Sequence, residues 1–391
     1  MLRHLARDHQ VTLVSFVRPD DTAESIAHLA RICYAVHPVP MRRSFWRNLR
    51  AVVKGLLTNQ PIVIVRDETG EMVATLRRLT REVVFDVIHA DQLSMSGYGQ
   101  LAARMAASHR PCTLLDEHNA IYLLTQRMAD TEASALRRAI MAREARAFAR
   151  YEMAMCLAYN ALLTVTPEDR EHLLALFDPD GREEIASKLS VVPICVDPEQ
   201  MSPVIHRDGG GPAILHMGTM FWPPNVSGVL WFARKVLPLV HQHVPEARFV
   251  VVGKNPPPEV QALTADPRVQ VTGYVTDPKP YLEEADAFVV PLHAGGGMRV
   301  KILDAWLWGL PIVSTPIGVE GIEIRESENI LIADDAPAFA QATVRLLIDK
   351  ELNHRLRANG RAWVAARYGW QVVYRQVDEV YARLLDSNKV K

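Results

Sequence analysis

The sequence predicts an α/β protein of two Rossmann-like, doubly wound domains facing a central cleft, and three observations carry that prediction. Short apolar runs alternate with longer helical patterns along almost all of the 391 residues. The runs are near-continuously apolar, as parallel strands covered by helices on both faces must be. A Pro-, Gly- and charge-rich break, "VDPEQMSPVIHRDGGGPA" (196–213), divides them into two series. Length agrees, since a chain of this size exceeds one ordinary core.

In order, the first series reads "VTLVSFV" (11–17), "VVFDVIHA" (83–90), "CTLLDEH" (112–118), "ALLTVT" (161–166) and "LSVVPI" (189–194). The second reads "AILHMG" (213–218), "RFVVVG" (248–253), "RVQVTG" (268–273), "DAFVVPL" (286–292), "PIVSTP" (311–316) and "NILIA" (329–333). Alternating βαβ units of this kind make parallel sheets, whose ligands sit beyond the carboxyl ends of the strands. The last 24 residues, "YGWQVVYRQVDEVYARLLDSNKVK" (368–391), place Val372, Val373, Val377, Val380, Tyr381 and Leu384 on one expected buried helical face.

Composition excludes several classes. Apolar residues make up 49% and charged residues 23%, which is globular rather than disordered. Forty-four Lys and Arg stand against 45 Asp and Glu, so no global field favours nucleic acid. Cys33, Cys112, Cys156 and Cys195 lie far apart without metal-ligand spacing and read as small core residues of a reducing compartment. No apolar run reaches the length of a membrane span and no signal-peptide core opens the chain, so a cytoplasmic location is expected. Basic residues cluster in "MRRSFWRNLRAVVKG" (41–55), which has no acid and mixes five cations with Phe45, Trp46, Leu49, Val52 and Val53. That stretch reads either as a solvated loop and helix or as a helix lying on the anionic inner face of a membrane.

The densest chemistry lies in "PLHAGGGMRVKILDAWLWGLPIVSTPIGVEG" (291–321). A strand ends at Pro291-Leu292, three glycines make a turn, and a helix begins near Arg299. Gly295, Gly296 and Gly297 let backbone N–H groups approach a ligand, and the helix N-terminus adds partial positive charge. Arg299 and Lys301 put full positive charges in the first turn, the unfavourable end of a helix, a cost that a bound diphosphate would offset.

This stretch resembles the nucleotide-sugar signature of retaining GT-B glycosyltransferases, specifically glycosyltransferase family 4 members of bacterial surface polysaccharide assembly. "LDEHNA" (115–120), "VVPICVD" (191–197), "HMGTMFWPPNVSGVLWF" (216–232), "VTGYVTD" (271–277) and "ADAFVVPL" (285–292) resemble the same subgroup. The resemblance implies an acceptor-side domain over 1–200, a nucleotide-sugar domain over 201–370 and a helix over 371–391 crossing back. It implies a nucleoside-diphosphate sugar as donor, a lipid-linked or saccharide hydroxyl as acceptor, no cofactor and no metal. One carboxylate of the family's Glu-x7-Glu pair falls on Gly296, and the other on Asp304, which keeps the ribose role. Tyr274 and Val275 match the base site, Gly218 and Asn225 the loop beside the diphosphate. His118 matches a histidine near the reacting carbon, with Asp116, Glu117 and Asn119 as unranked neighbours. Arg299, Lys301 and His118 are therefore the expected catalytic residues.

Retention without a close carboxylate pair implies a front-face route, in which the leaving phosphate takes the acceptor proton. Relatives also carry one more strand and a Gly-rich loop ahead of the region matching "MLRHLARDHQVTLVSF", so the N-terminal domain is expected to lack its central first strand, through a misassigned start or a truncated chain. Two other readings stay open: a catalytically inactive nucleotide-binding or scaffold protein of polysaccharide assembly, and a GT-B nucleotide-sugar epimerase.

Overall fold

The computed structural model describes residues 1–19, 21–106, 110–207, 211–295 and 297–389. Its chain separates into two compact units, one of Met1–Val192 with Tyr374–Lys391 and one of Pro193–Val373.

Among the described residues the second unit holds six strands: β7 (Ala213–Met217), β8 (Arg248–Val252), β9 (Val269–Gly273), β10 (Ala287–Val290), β11 (Ile312–Ser314) and β12 (Leu331–Ile332). They form one sheet in the order β12-β11-β10-β7-β8-β9, and every pairing is parallel. That is the doubly wound Rossmann order, in which the first strand is central and the winding reverses between the first and fourth strands. β10 and β11 are buried at every residue, as strands with helices on both faces should be. Phe232, Phe249 and Phe339 pack at the centre of one face of this core.

The described residues of the first unit also form six strands: β1 (Thr12–Val17), β2 (Ala35–Pro40), β3 (Val87–Asp91), β4 (Cys112–Glu117), β5 (Ala161–Thr164) and β6 (Leu189–Val191). They form two parallel sheets, β1-β2 and β3-β4-β5-β6. β4 and β5 are wholly buried, whereas no residue of β1 is.

The structure corrects two expectations. β2, "AVHPVP", was not among the expected strands because its prolines interrupt the apolar run. It is tolerated because β2 pairs on one side only, where a missing N–H costs no ladder bond. In the C-terminal helix Trp370–Lys389, Val373, Val377, Val380, Tyr381 and Leu384 are buried but Val372 is 39% exposed. One residue is a rotation of about 100°, which carries Val372 off the stripe defined by its neighbours. From Tyr374 onward this helix belongs to the first unit, where the Tyr381 hydroxyl lies 2.8 Å from His89 Nδ1 and Arg383 donates to Ser190 at 3.0 Å.

Candidate functional site

Two groups of functional side chains form at strand ends, one in each unit. In the second unit they gather at the switch point between β7 and β10. Gly218 directly follows β7, and the glycine turn follows β10. The Lys301 ammonium donates to Asn225 Oδ1 at 2.9 Å, while the Asn225 amide donates to Thr219 O at 3.0 Å. A side chain at Gly218 would meet both groups, its Cβ lying 2.9 Å from Lys301 Nζ and 2.9 Å from Asn225 Nδ2. Gly218, Asn225 and Lys301 therefore form one cluster, drawn from segments some 80 residues apart.

Burial, and then the charge of Arg299, push the Lys301 ammonium down to about 7. No carboxylate pairs with it among the described residues. Arg299, 9% exposed, turns its guanidinium back onto the turn, donating to Gly297 O and lying 3.8 Å from Glu320. Gly295 has φ +133°, and a Cβ there would stand 2.9 Å from the Arg299 guanidinium, so only glycine fits. Arg299 thus holds the shape of the turn as well as charging it. Asp304 sits one helical turn beyond Lys301, and burial raises its carboxyl to about 6. The helix itself spans Val300–Leu307 with Arg299 at its N-cap, in keeping with the expected start near Arg299.

Tyr274 follows the edge strand β9 and is 74% exposed, with Val275 next to it. β9 stands two strands from β7, about 10 Å across the sheet, so these residues do not join the Lys301 cluster. Gly296 lies outside the described residues.

Sequence reasoning missed two residues of this site. His216, fully buried on β7, has its Nδ1 2.9 Å from Val289 O of β10 and so ties the two strands of the switch point. Burial first, and then Lys301, lower its pKa to about 3, so it is neutral and donates through Nδ1. Gly253 follows β8, and a Cβ there would lie 1.7 Å from Gly218 O. Glycine after a strand was visible in "VVVG"; the backbone it must admit was not.

In the first unit the site forms at the ends of β3 and β4. Asp91 and Asp116 are register partners, and His118 follows β4. His118 Nε2 lies 2.8 Å from Asp91 Oδ1 and 3.8 Å from Asp116 Oδ2, while His89 Nε2 lies 3.9 Å from Asp116. Period-2 geometry puts these four on one face, under Tyr381. The Asp91 hydrogen bond raises the His118 pKa, and the same bond lowers that of Asp91. Burial raises Asp116 to about 6 and lowers His89 to about 4. The ligand atoms of Asp91, Asp116 and His118 lie within 4.8 Å of one another, a spacing a cation could use. The His118–Asp91 hydrogen bond already accounts for the closest pair.

Glu117 faces the other way. It is 1% exposed and its carboxyl oxygens have no hydrogen-bond partner. Burial first, and then Glu152, raise its pKa. Glu152 caps the helix Ile121–Thr131 by accepting from Ile121 N at 2.6 Å. Of the three unranked neighbours, Asp116 stands with His118 and Glu117 belongs to the core behind the sheet.

Residues 211–349 match the family model of "Glycosyl transferases group 1". The solved structure of Anabaena HepE in complex with UDP and glucose superposes with a TM-score of 0.65 at 12% identity, over 97% of this chain and 94% of that one. The chain has the GT-B fold, and its second unit carries a domain similar to the group 1 glycosyl transferases. Its α/β fold with parallel sheets is the expected one. Among relatives in sequence, the Escherichia coli "UDP-Gal:alpha-D-GlcNAc-diphosphoundecaprenol alpha-1,3-galactosyltransferase" is 26% identical over 71% of this chain and 70% of its own. An "Uncharacterized 44.6 kDa protein in cps region" of Klebsiella pneumoniae is 30% identical over 33% of this chain, which spans about a third (35%) of that relative's length.

Proposed function

We propose that this GT-B chain transfers a sugar from a nucleoside diphosphate to an acceptor hydroxyl with retention at the anomeric carbon. One observation carries the reading: a half-buried lysine with no carboxylate partner among the described residues, beside close-approach glycine backbone, at the switch point of a Rossmann sheet. A diphosphate supplies the negative charge that such a lysine lacks.

In this reading Lys301, Arg299 and the turn amides hold the diphosphate, Asn225 orients Lys301, Asp304 accepts from the ribose hydroxyls, and Tyr274-Val275 meet the base. The acceptor oxygen attacks the anomeric carbon on the face from which the diphosphate leaves. The bond from the anomeric carbon to the leaving phosphate oxygen breaks, and the acceptor proton passes to that oxygen. The cations stabilise the charge that develops there, each worth about 3 kcal/mol by analogy with oxyanion donors, and no metal is needed. His118, whose pKa the Asp91 hydrogen bond raises, serves as a hydrogen-bond donor to the reacting sugar, and Asp91 is its positioning residue. The acceptor is a lipid-linked or saccharide hydroxyl, and the diphosphoundecaprenol in the name of the E. coli relative supports the lipid-linked choice.

Calorimetry with UDP, GDP, ADP and dTDP tests the donor site, comparing the native chain with Arg299→Ala/Lys301→Ala. One nucleotide should bind, and the variant should lose it. The matching nucleotide sugar with a diphosphoprenyl-linked acceptor should then give a product whose anomeric proton coupling is that of the donor. An inverted coupling rejects retention, and a folded chain that binds no nucleotide rejects the transferase reading.

A further inference from the structure

The helix Phe45–Thr58 is turned inside out relative to an ordinary surface helix. Its inward face carries Ala51 and Gly55, both buried, and the aliphatic stem of Arg47. Its outward face carries Phe45 at 73% exposure, Trp46 at 75%, Leu49 at 45%, Val53 at 50%, Leu56 at 55% and Leu57 at 80%. These recur at intervals of three and four residues, so they form one continuous stripe along the helix. A stripe of this composition exposes on the order of several hundred Å² of apolar surface, the size at which an exposed patch marks an interaction site.

The orientation is built in. Arg47 donates to the carbonyls of Arg42 at 2.7 Å, Arg66 at 3.1 Å and Glu68 at 3.0 Å. Arg143 donates to Gly55 O and, at 3.1 Å, to Gln60 O. A Cβ at Gly55 would stand 3.0 Å from Ile62 Cγ1 and 3.2 Å from Gln60 O, so the inner face admits only small residues. Rolling the apolar stripe inward would break these bonds and leave no room for Trp46 or Leu57.

Charge selects the occupant. Residues 41–58 contain Arg42, Arg43, Arg47, Arg50 and Lys54 and no acid. Trp46, Leu49, Val53 and Leu57 line a shallow groove together with Arg50 and Lys54. Aromatic and aliphatic side chains at the centre with cations alongside fit the boundary between acyl chains and anionic headgroups. No helix of the described residues is long and apolar enough to cross a membrane, so contact would be at the surface.

We propose that the Phe45–Thr58 helix docks this protein on an anionic lipid surface, with its apolar stripe among the acyl chains and Arg42, Arg43 and Arg50 at the phosphates. The proposal stands apart from the donor chemistry, because it uses no residue of either strand-end site.

Co-sedimentation of the full chain with phosphatidylglycerol/phosphatidylcholine vesicles, against phosphatidylcholine alone, tests it. The chain should partition at least about tenfold more onto the anionic vesicles, and added salt should weaken it. Trp46→Ser/Leu57→Ser and Arg42→Ala/Arg43→Ala/Arg50→Ala should each lower the partition coefficient by about tenfold or more. Their thermal midpoints should stay unchanged, since these side chains are exposed. A native chain that ignores anionic vesicles overturns the proposal, as do variants that bind as the native chain does. A native chain that stays off vesicles but forms a dimer lost in Trp46→Ser/Leu57→Ser overturns it in favour of an interface between copies.

Discussion

Among the described residues the two units contain the same number of strands and differ in how those strands are joined. In the second, β7 opens the series and takes the centre, so that the sheet runs unbroken from β12 to β9. In the first, among the described residues, β1 pairs only with β2 and β3 only with β4, so the sheet is split in two. The effect shows in burial: β10 is buried throughout and β1 nowhere. Chemistry divides in the same way. The Lys301 cluster at the switch point is cationic, short of negative charge and suited to an anion. The Asp91, Asp116, His118 and His89 cluster is internally paired and suited to holding a proton in place. A strand end is a platform, and charge balance decides what it can take.

That division breaks if a substitution in one unit disturbs the task assigned to the other. The largest effect is expected at His118. His118→Ala should lower kcat by about 10²-fold or more while nucleotide affinity, read by calorimetry, stays within about twofold. Parallel losses in both would place His118 in nucleotide binding instead. Lys301→Ala should weaken nucleotide diphosphate affinity by roughly 10–100-fold, the worth of one charged hydrogen bond, and full-strength binding would remove Lys301 from the site. Asp91→Asn should cost about tenfold in kcat, less than loss of His118 itself, and move the descending limb of the kcat–pH profile to lower pH. The sign follows from the hydrogen bond: Asp91 raises the His118 pKa, so removing its charge lowers it. A shifted profile distinguishes positioning from a merely structural loss.

The smallest effects concern stability. Val289→Ala in fully buried β10 should cost about 2 kcal/mol in urea unfolding, against under about 1 kcal/mol for Val14→Ala in half-buried β1. Equal costs would mean that the split sheet is as well packed as the continuous one.

Much of the second unit was readable because parallel strands buried on both faces leave apolar runs such as "AFVV" and "FVVV" bounded by turns. The glycine turn, Arg299 and Lys301 were visible for a related reason, since cations at a helix start contradict local helix preference. What periodicity could not show was contact between distant segments. Lys301 on Asn225, His216 across to β10 and the Gly253 backbone under Gly218 depend on the sheet bringing separate loops together. Asp91 was missed because it gains meaning only from the register that sets it beside Asp116. β2 was missed because its prolines suit an edge and conceal a strand.

The partly neutral state of Lys301 has one more consequence. With its pKa near 7, part of the ligand-free population holds a free amine, and a diphosphate at the proposed donor site would favour the ammonium. Binding above about pH 7 therefore draws a proton from the medium, and affinity declines as pH rises. The heat measured on mixing will depend on the buffer, being more exothermic in phosphate than in Tris, because protonated Tris absorbs more heat when it gives up its proton. Plotted against buffer ionisation enthalpy, the slope counts the protons taken up, and Lys301→Met should flatten it.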